Sequence, residues 1–217
     1  MKQFFLSIAA CAFAFTSAYA QDADSDFADY GIGLAISPFG PSLNLTYNLD
    51  AKNSISAGFG FSPELNAPDA LLPDWDTPGG FSAKGTSSWM GVFWRHRPLE
   101  NANFGINLGM AAGQIENTLT AGIPFHAGED PHTYQVSYTE NPVTYFGVSY
   151  GLKPVKGIQV GLDIGVLSTG GASVEYTGHA EEMEEHEEEI ELEIEDIRTN
   201  FAWTMLPNIQ IGVSYGF

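Results

Sequence analysis

The sequence is poor in cysteine, in basic residues and in long apolar runs. Its one cysteine, Cys11, excludes a disulfide-stapled fold. Eight Lys and Arg residues stand against 27 Asp and Glu residues, a balance that argues against nucleic acid as a partner. After residue 20, no apolar run reaches the ~20 residues that a membrane-spanning helix needs. A membrane role would therefore require a β-barrel.

The first 20 residues have the pattern of a secretory signal peptide. Lys2 precedes an apolar run from Phe4 to Phe15, and the small residues Ala18 and Ala20 form an A-x-A-type cleavage site. A lipoprotein cleavage box ending at Cys11 is the less favoured alternative, because apolar residues continue past it. Cleavage near Ala20 would leave an exported mature chain without cysteine.

Period-two alternation is the main pattern in the mature chain. Residues Ile209 to Phe217 alternate apolar or aromatic side chains with Gln, Gly and Ser, and no helix has that period. Eight segments alternate in this way: 30–37, 42–49, 55–62, 87–97, 104–111, 143–153, 158–166 and 208–217. An even number of strands suits antiparallel closure. The sequence therefore predicts an all-β fold, an eight-stranded antiparallel up-and-down transmembrane β-barrel.

Short and long connections alternate between these segments. Turns 50–53, 98–103 and 154–157 are short, whereas the expected loops 63–86, 121–142 and 176–202 are long. Short periplasmic turns and longer outer loops are typical of outer-membrane barrels. We predict a signal peptide at 1–20, an N-terminal periplasmic segment at 21–29 and a barrel at 30–217, with both termini in the periplasm.

A soluble β-sandwich or β-barrel would also alternate, but its outer face would be charged. Here the second face is mostly Gly, Ser, Asn and Gln, which suits a crowded, narrow lumen. Aromatic residues near segment ends are expected to form girdles at the membrane interfaces. They are Trp89, Trp94, Tyr145, Tyr150, Trp203, Tyr215 and Phe217. The pattern favours the membrane barrel.

Arg95, Asn107 and Asp163 are the polar residues predicted to face the lumen. A charge alone in a low-dielectric lumen is costly, so Arg95 and Asp163 are expected to find partners, and each could partner the other. Eight strands leave an interior that side chains can fill, which predicts a closed lumen and a structural or surface-interaction role. Two alternatives stay open: passive transport of a small apolar compound, and a soluble periplasmic β-barrel that binds a small ligand.

Eleven of the acidic residues fall between Glu181 and Asp196, in the last long loop. Met183, Ile190, Ile194 and Ile197 lie near one helical face, which predicts a short acidic helix, with a charged hairpin as the alternative.

On such a helix His179, Glu182 and His186 would share a face at i, i+3 and i+7. Imidazole and carboxylate ligands at that spacing are a weak signal for a metal site. A solvated acidic face is the favoured interpretation. We expect no cofactor beyond weak Ca²⁺ or Mg²⁺ association with this loop.

Loop 121–142 and its surroundings contain the residue types of a hydrolase. They are His126, Glu129, Asp130, His132 and Ser137. Nothing resembles the His-x-Ser-Asn pattern of the lipid A deacylases, and we expect no enzymatic activity.

The C-terminal stretch resembles the terminal signal of outer-membrane barrels, with Gln210, Gly212, Tyr215 and Phe217 at the matching positions. That resemblance implies recognition by the barrel-assembly machinery. More broadly, the chain resembles a family of small uncharacterised proteobacterial outer-membrane barrels with a glutamate-rich last loop. The motifs are 31–34, 94–98, 104–107, 141–147 and 162–167. The resemblance implies a location in the outer membrane among its lipids and lipopolysaccharide; we also expect a monomer.

Overall fold

The computed structural model describes residues 27–69, 72–99, 103–126, 130–138, 142–178 and 184–217. The predicted signal peptide lies outside them. Within them, the chain forms ten strands and a short helix. The elements are β1 (Tyr30–Ser37), β2 (Gly40–Asn48), β3 (Asn53–Asn66), β4 (Phe81–His96), β5 (Phe104–Ala121), β6 (Thr133–Tyr138), β7 (Val143–Tyr150), β8 (Gly157–Ser168), β9 (Ser173–Tyr176), α1 (Glu187–Asn200) and β10 (Met205–Gly216).

Eight of the strands form an antiparallel ring in the order β1-β2-β3-β4-β5-β7-β8-β10, which closes where β10 pairs with β1. These eight strands correspond to the eight segments predicted from alternation, although segments 42–49, 87–97, 143–153 and 208–217 run one to three residues past the strand ends. Strand β6 pairs with the upper part of β5, beyond the end of β7, and β9 pairs with β6. We call the end of the ring that holds Phe27 and Phe217 the lower end.

The two faces of β4 exchange their polarity along the strand. Toward the lower end, Met90 and Val92 are apolar and exposed on the outside, whereas Arg95 faces the interior. Toward the upper end, Lys84 is exposed on the outside, and Phe81 is buried on the inside. The lower part of β4 therefore has an apolar outer face and a polar inner face, whereas its upper part has the reverse arrangement, which is usual in soluble proteins.

Strand β5 repeats this exchange. Leu108 and Met110 are exposed in its lower part, whereas Leu119 and Ala121 are buried in its upper part. A tilted membrane strand needs ~9–11 residues, and β5 has 18. Its upper part therefore extends past any membrane that the lower part would cross.

The predicted loop boundaries need correction for the same reason. Strand β3 continues to Asn66 and β4 begins at Phe81, so the connection is shorter than 63–86. The expected loop 121–142 contains β6, and β9 precedes the last loop. In the upper part of β4 the outward-facing residues are Ser, Lys and Thr, so the apolar alternation stops although the strand continues.

An almost continuous apolar band surrounds the lower exterior of the ring. The exposed side chains include Ile32, Leu34, Ile36, Leu43, Leu45, Ile55, Phe59, Met90, Val92, Leu108, Met110, Phe146, Val148, Ile164, Ile209 and Val213. Apolar surface of this extent is unusual for a protein face in water.

Exposed aromatic rings lie at the lower edge of this band. Tyr30 packs beside Tyr47 and Phe217, with ring centroids 5.3 and 6.1 Å apart. The prediction that Trp89 and Tyr145 belong to a girdle was wrong, because both side chains face the interior. Alternation near a strand end does not say which face an aromatic ring occupies.

The upper half has a hydrophobic core of its own. Its central residues are Phe81, Ala83, Leu119, Ala121, Tyr134, Val136, Tyr138, Val174, Ile190, Ile197 and Ala202. Ile190 and Ile197 lie on α1, with Ile194 packed beside them, so the predicted helix is confirmed and the hairpin alternative is wrong. We call α1, the upper strands that it covers and residues 72–80 the cap. Among the described residues, no helix is both long and apolar enough to cross a membrane.

Candidate functional site

A polar network fills the middle of the ring. Arg95 Nε donates to Asn107 Oδ1 at 2.9 Å, and Asn107 Nδ2 donates to Asp163. Arg95 Nη2 lies 3.6 Å from Asp163 Oδ2, and the Tyr145 hydroxyl donates to the other carboxylate oxygen. The structure thus brings together the three lumen residues singled out from sequence and adds Tyr145. Their charges are compensated locally, as burial requires.

Aromatic rings fill the space around this network because the facing strands carry glycine. A Cβ on Gly109 would lie 2.2 Å from the Phe93 ring, and one on Gly60 would lie 2.5 Å from Trp89. Phe93 also packs edge-on against Tyr145 at 5.8 Å. A cavity of about 150 Å³ remains.

A second network crosses the lower mouth. Arg97 Nη1 donates to Ser54 Oγ at 2.8 Å, and Arg97 Nε donates to the Leu152 carbonyl at 3.1 Å. Ser54 Oγ donates to Asn48 Oδ1 at 2.7 Å, and Asn48 Nδ2 donates to the Ala28 carbonyl at 2.7 Å. Sequence reasoning missed this network, although Arg97 follows Arg95 by two residues and shares its face.

In the cap, one glutamate joins α1 to the upper sheet. Glu193 Oε2 accepts hydrogen bonds from the Tyr134 hydroxyl at 2.8 Å and from His132 Nε2 at 2.7 Å. Tyr134 is fully buried. Burial and the neighbouring carboxylate raise the pKa of Tyr134, so the phenol stays protonated and remains a donor.

Asp196 fixes the other side of α1. Its carboxylate accepts from Thr77 N at 2.8 Å, from Thr77 Oγ1 at 2.7 Å and from Asn200 Nδ2 at 2.6 Å. Burial alone would raise the pKa of Asp196, but these hydrogen bonds together lower it below the usual range. Loop 72–80 is thereby attached to the helix.

Two further histidines meet at the start of α1. His126 Nε2 lies 3.3 Å from His186 Nε2 and 3.8 Å from Glu185 Oε2, and His186 Nδ1 lies 2.9 Å from Glu189 Oε2. The ring of Phe125 stacks between His132 and His186, at 3.8 and 4.4 Å.

This arrangement differs from the helical metal site proposed from sequence. His186 lies directly before α1, which begins at Glu187. His179 and Glu182 lie outside the described residues. The partner that sequence spacing could not supply is His126, which is 60 residues away. His132, one of the hydrolase-type residues noted in the sequence, contacts Glu193.

The residues of the terminal signal occupy both faces of β10. Tyr215 and Phe217 are exposed on the outside at the lower end, and Gln210 and Gly212 line the interior.

No family model matches the sequence, and no curated protein is significantly similar to it. The fold is similar to solved bacterial outer-membrane β-barrels. CarO of Acinetobacter baumannii superposes with a TM-score of 0.60 at 16% identity, covering 88% of this chain and 98% of CarO. CarO2 of the same species gives 0.61 at 13% identity, covering 89% of this chain and all of CarO2. Identities this low establish similarity of fold alone.

Proposed function

We propose that the protein is an outer-membrane β-barrel with a closed lumen that displays a compact folded cap on the cell surface. Its role is structural or in surface interaction, and the cap makes the contacts. The observation that carries this proposal is the exchange of polarity along β4 and β5.

The lower exterior is apolar and the lower interior is polar, which is the arrangement that a lipid environment favours. The upper exterior carries Lys84 and Ser82, and the upper interior is an apolar core, which is the arrangement that water favours. A soluble periplasmic β-barrel would expose the entire lower band to water. Lipid around the lower part and water around the upper part account for the opposite polarity of the two halves of β4.

The closed lumen is supported by Arg95, Asn107, Asp163 and Tyr145 in the middle and by Arg97 below. A path for a small apolar compound would need an apolar opening, whereas these groups are charged or polar. Outer-membrane lipids and lipopolysaccharide would surround the ring. In this proposal the chain reaches the membrane after cleavage near Ala20, through barrel-assembly machinery that reads the C-terminal signal.

Two substitutions on the outer face of β4 test the membrane boundary. Val92→Lys places a charge in the apolar band and should destabilise the inserted protein by about 2–4 kcal/mol if Val92 lies near the bilayer midplane. Ser82→Lys, on the same face of the cap, should cost about 0–0.5 kcal/mol, as surface substitutions usually do. Urea unfolding in lipid vesicles measures both. Equal, small effects would contradict insertion of the lower band.

Fractionation and conductance test the rest of the proposal. The mature protein should partition with the outer membrane and change its gel mobility on boiling. It should give no steady conductance in planar bilayers. A fully soluble protein would overturn the membrane assignment, and a stable open channel would overturn the closed lumen alone.

A further inference from the structure

We propose that His126, Glu185 and His186 form a binding site for one divalent transition-metal ion, with zinc as its representative. The site lies next to the cap, beside the first turn of α1. The proposal does not depend on the membrane location of the protein.

The spacing of the two imidazoles fits a shared ion. In tetrahedral zinc sites the Zn–N distance is about 2.0–2.1 Å, so two ligating nitrogens lie about 3.3–3.4 Å apart. His126 Nε2 and His186 Nε2 are 3.3 Å apart. The ligand atoms of all three residues lie within 4.8 Å of one another, and the exposed Glu185 side chain can close the remaining distance by a rotamer adjustment.

Proton positions are also compatible with the ion. His186 Nδ1 donates to Glu189 Oε2 at 2.9 Å, which leaves a lone pair on Nε2. Without metal, His126 Nε2–H donates to that lone pair. With metal, the His126 proton resides on Nδ1, and both Nε2 lone pairs face the ion.

Two neighbours orient His186 for this purpose. A carboxylate that accepts from the second ring nitrogen of a histidine ligand fixes the tautomer of that histidine and increases its basicity. Glu189 occupies this position beside His186. Phe125 stacks on the His186 ring with an interplanar angle of 6° and limits its rotation. The positive end of the α1 dipole opposes a cation, and Glu187, Glu188 and Glu189 in the first turn offset it.

Histidine ligands select late transition metals over Ca²⁺ and Mg²⁺, which prefer oxygen. This preference separates the proposed site from diffuse cation association with the glutamates of the last loop. Three protein ligands leave a coordination position for water or for a group from outside the chain.

The test is calorimetric titration of Zn²⁺ into the chelator-treated mature protein in detergent, with and without millimolar Ca²⁺. We expect one tightly bound Zn²⁺ per chain that Ca²⁺ does not displace. His126→Gln and His186→Gln should each weaken binding at least about tenfold, and Glu189→Gln by about 10–100-fold. His96→Gln, at the lower end of β4, is the matched control and should bind as the unsubstituted protein does.

Visible absorption of bound Co²⁺ gives a second readout, because tetrahedral coordination intensifies its bands, and His186→Gln should remove that intensity. Hydrogen exchange of α1 checks that the cap of each variant is folded, and heat-dependent gel mobility checks the ring of strands. Zn²⁺ binding that is unchanged in both histidine variants, or that Ca²⁺ abolishes, would overturn the site. An unchanged affinity in Glu189→Gln alone would overturn the positioning role of Glu189.

Discussion

Arg95 and Asp163 face each other inside the ring, with Arg95 Nη2 3.6 Å from Asp163 Oδ2 and Asn107 hydrogen-bonded to both side chains. They come from strands β4 and β8, which are not adjacent. The pair therefore joins separate parts of the wall through the interior.

Asp163→Ala should leave Arg95 buried without its carboxylate and destabilise the protein by about 3–5 kcal/mol. The double variant Arg95→Met/Asp163→Leu removes both charges and should recover most of that loss, since apolar groups of similar volume can replace a buried ion pair. Urea unfolding in lipid vesicles compares the three proteins. A double variant as unstable as Asp163→Ala would contradict this account of the pair.

Gly109→Ala should destabilise the ring by about 1–3 kcal/mol, because its methyl group would overlap the Phe93 ring and overpack the lumen. Gly31→Ala is the matched control, since a Cβ there would approach no closer than 3.6 Å to Thr46 Cβ. The unfolding midpoints of both variants check the prediction. Gly109→Ala combined with Phe93→Leu should recover part of the loss if the overlap is its cause.

Tyr134→Phe should loosen the cap and leave the ring intact. It removes a buried hydrogen bond to a carboxylate, worth about 1.5–3 kcal/mol, while the aromatic side chain keeps its packing against Phe81. Hydrogen exchange of α1 should accelerate accordingly, with no change in heat-dependent gel mobility. Tyr47→Phe, on the exposed lower exterior, is the control and should leave exchange in α1 unaffected.

The cap should lose stability in acid partly through Asp196. Because its pKa is lower folded than unfolded, its contribution is complete well above the unfolded value of ~3.9 and disappears as the pH falls through the folded value. The measured quantity is the protection of the α1 amides against hydrogen exchange, relative to unstructured chain at the same pH. Asp196→Asn should reduce the loss of this protection between neutral and strongly acidic pH. The difference between the two proteins isolates Asp196 from the many glutamates. Identical pH dependence would contradict this role.

Alternation predicted the ring because each ring strand lies, in its lower part, between only two environments, an apolar exterior and a crowded lumen. It failed above Ser88, where the same strand continues with the opposite polarity and the expected loops contain strand residues. The inward position of Arg95, Asn107 and Asp163 followed from their place in the period-two alternation alone. The same alternation also places Trp89 and Tyr145 inside, but their aromatic character pointed instead to the membrane interface.

The sequence by itself determined the eight lower strands, the lumen-facing polar residues and the acidic helix, because each depends on a local period of two or 3.6 residues. Only the tertiary structure decided that Arg95 meets Asp163, that Glu193 meets Tyr134, and that His126 meets His186. Those contacts depend on the stagger between strands and on where the chain returns after a loop. No local period encodes that geometry.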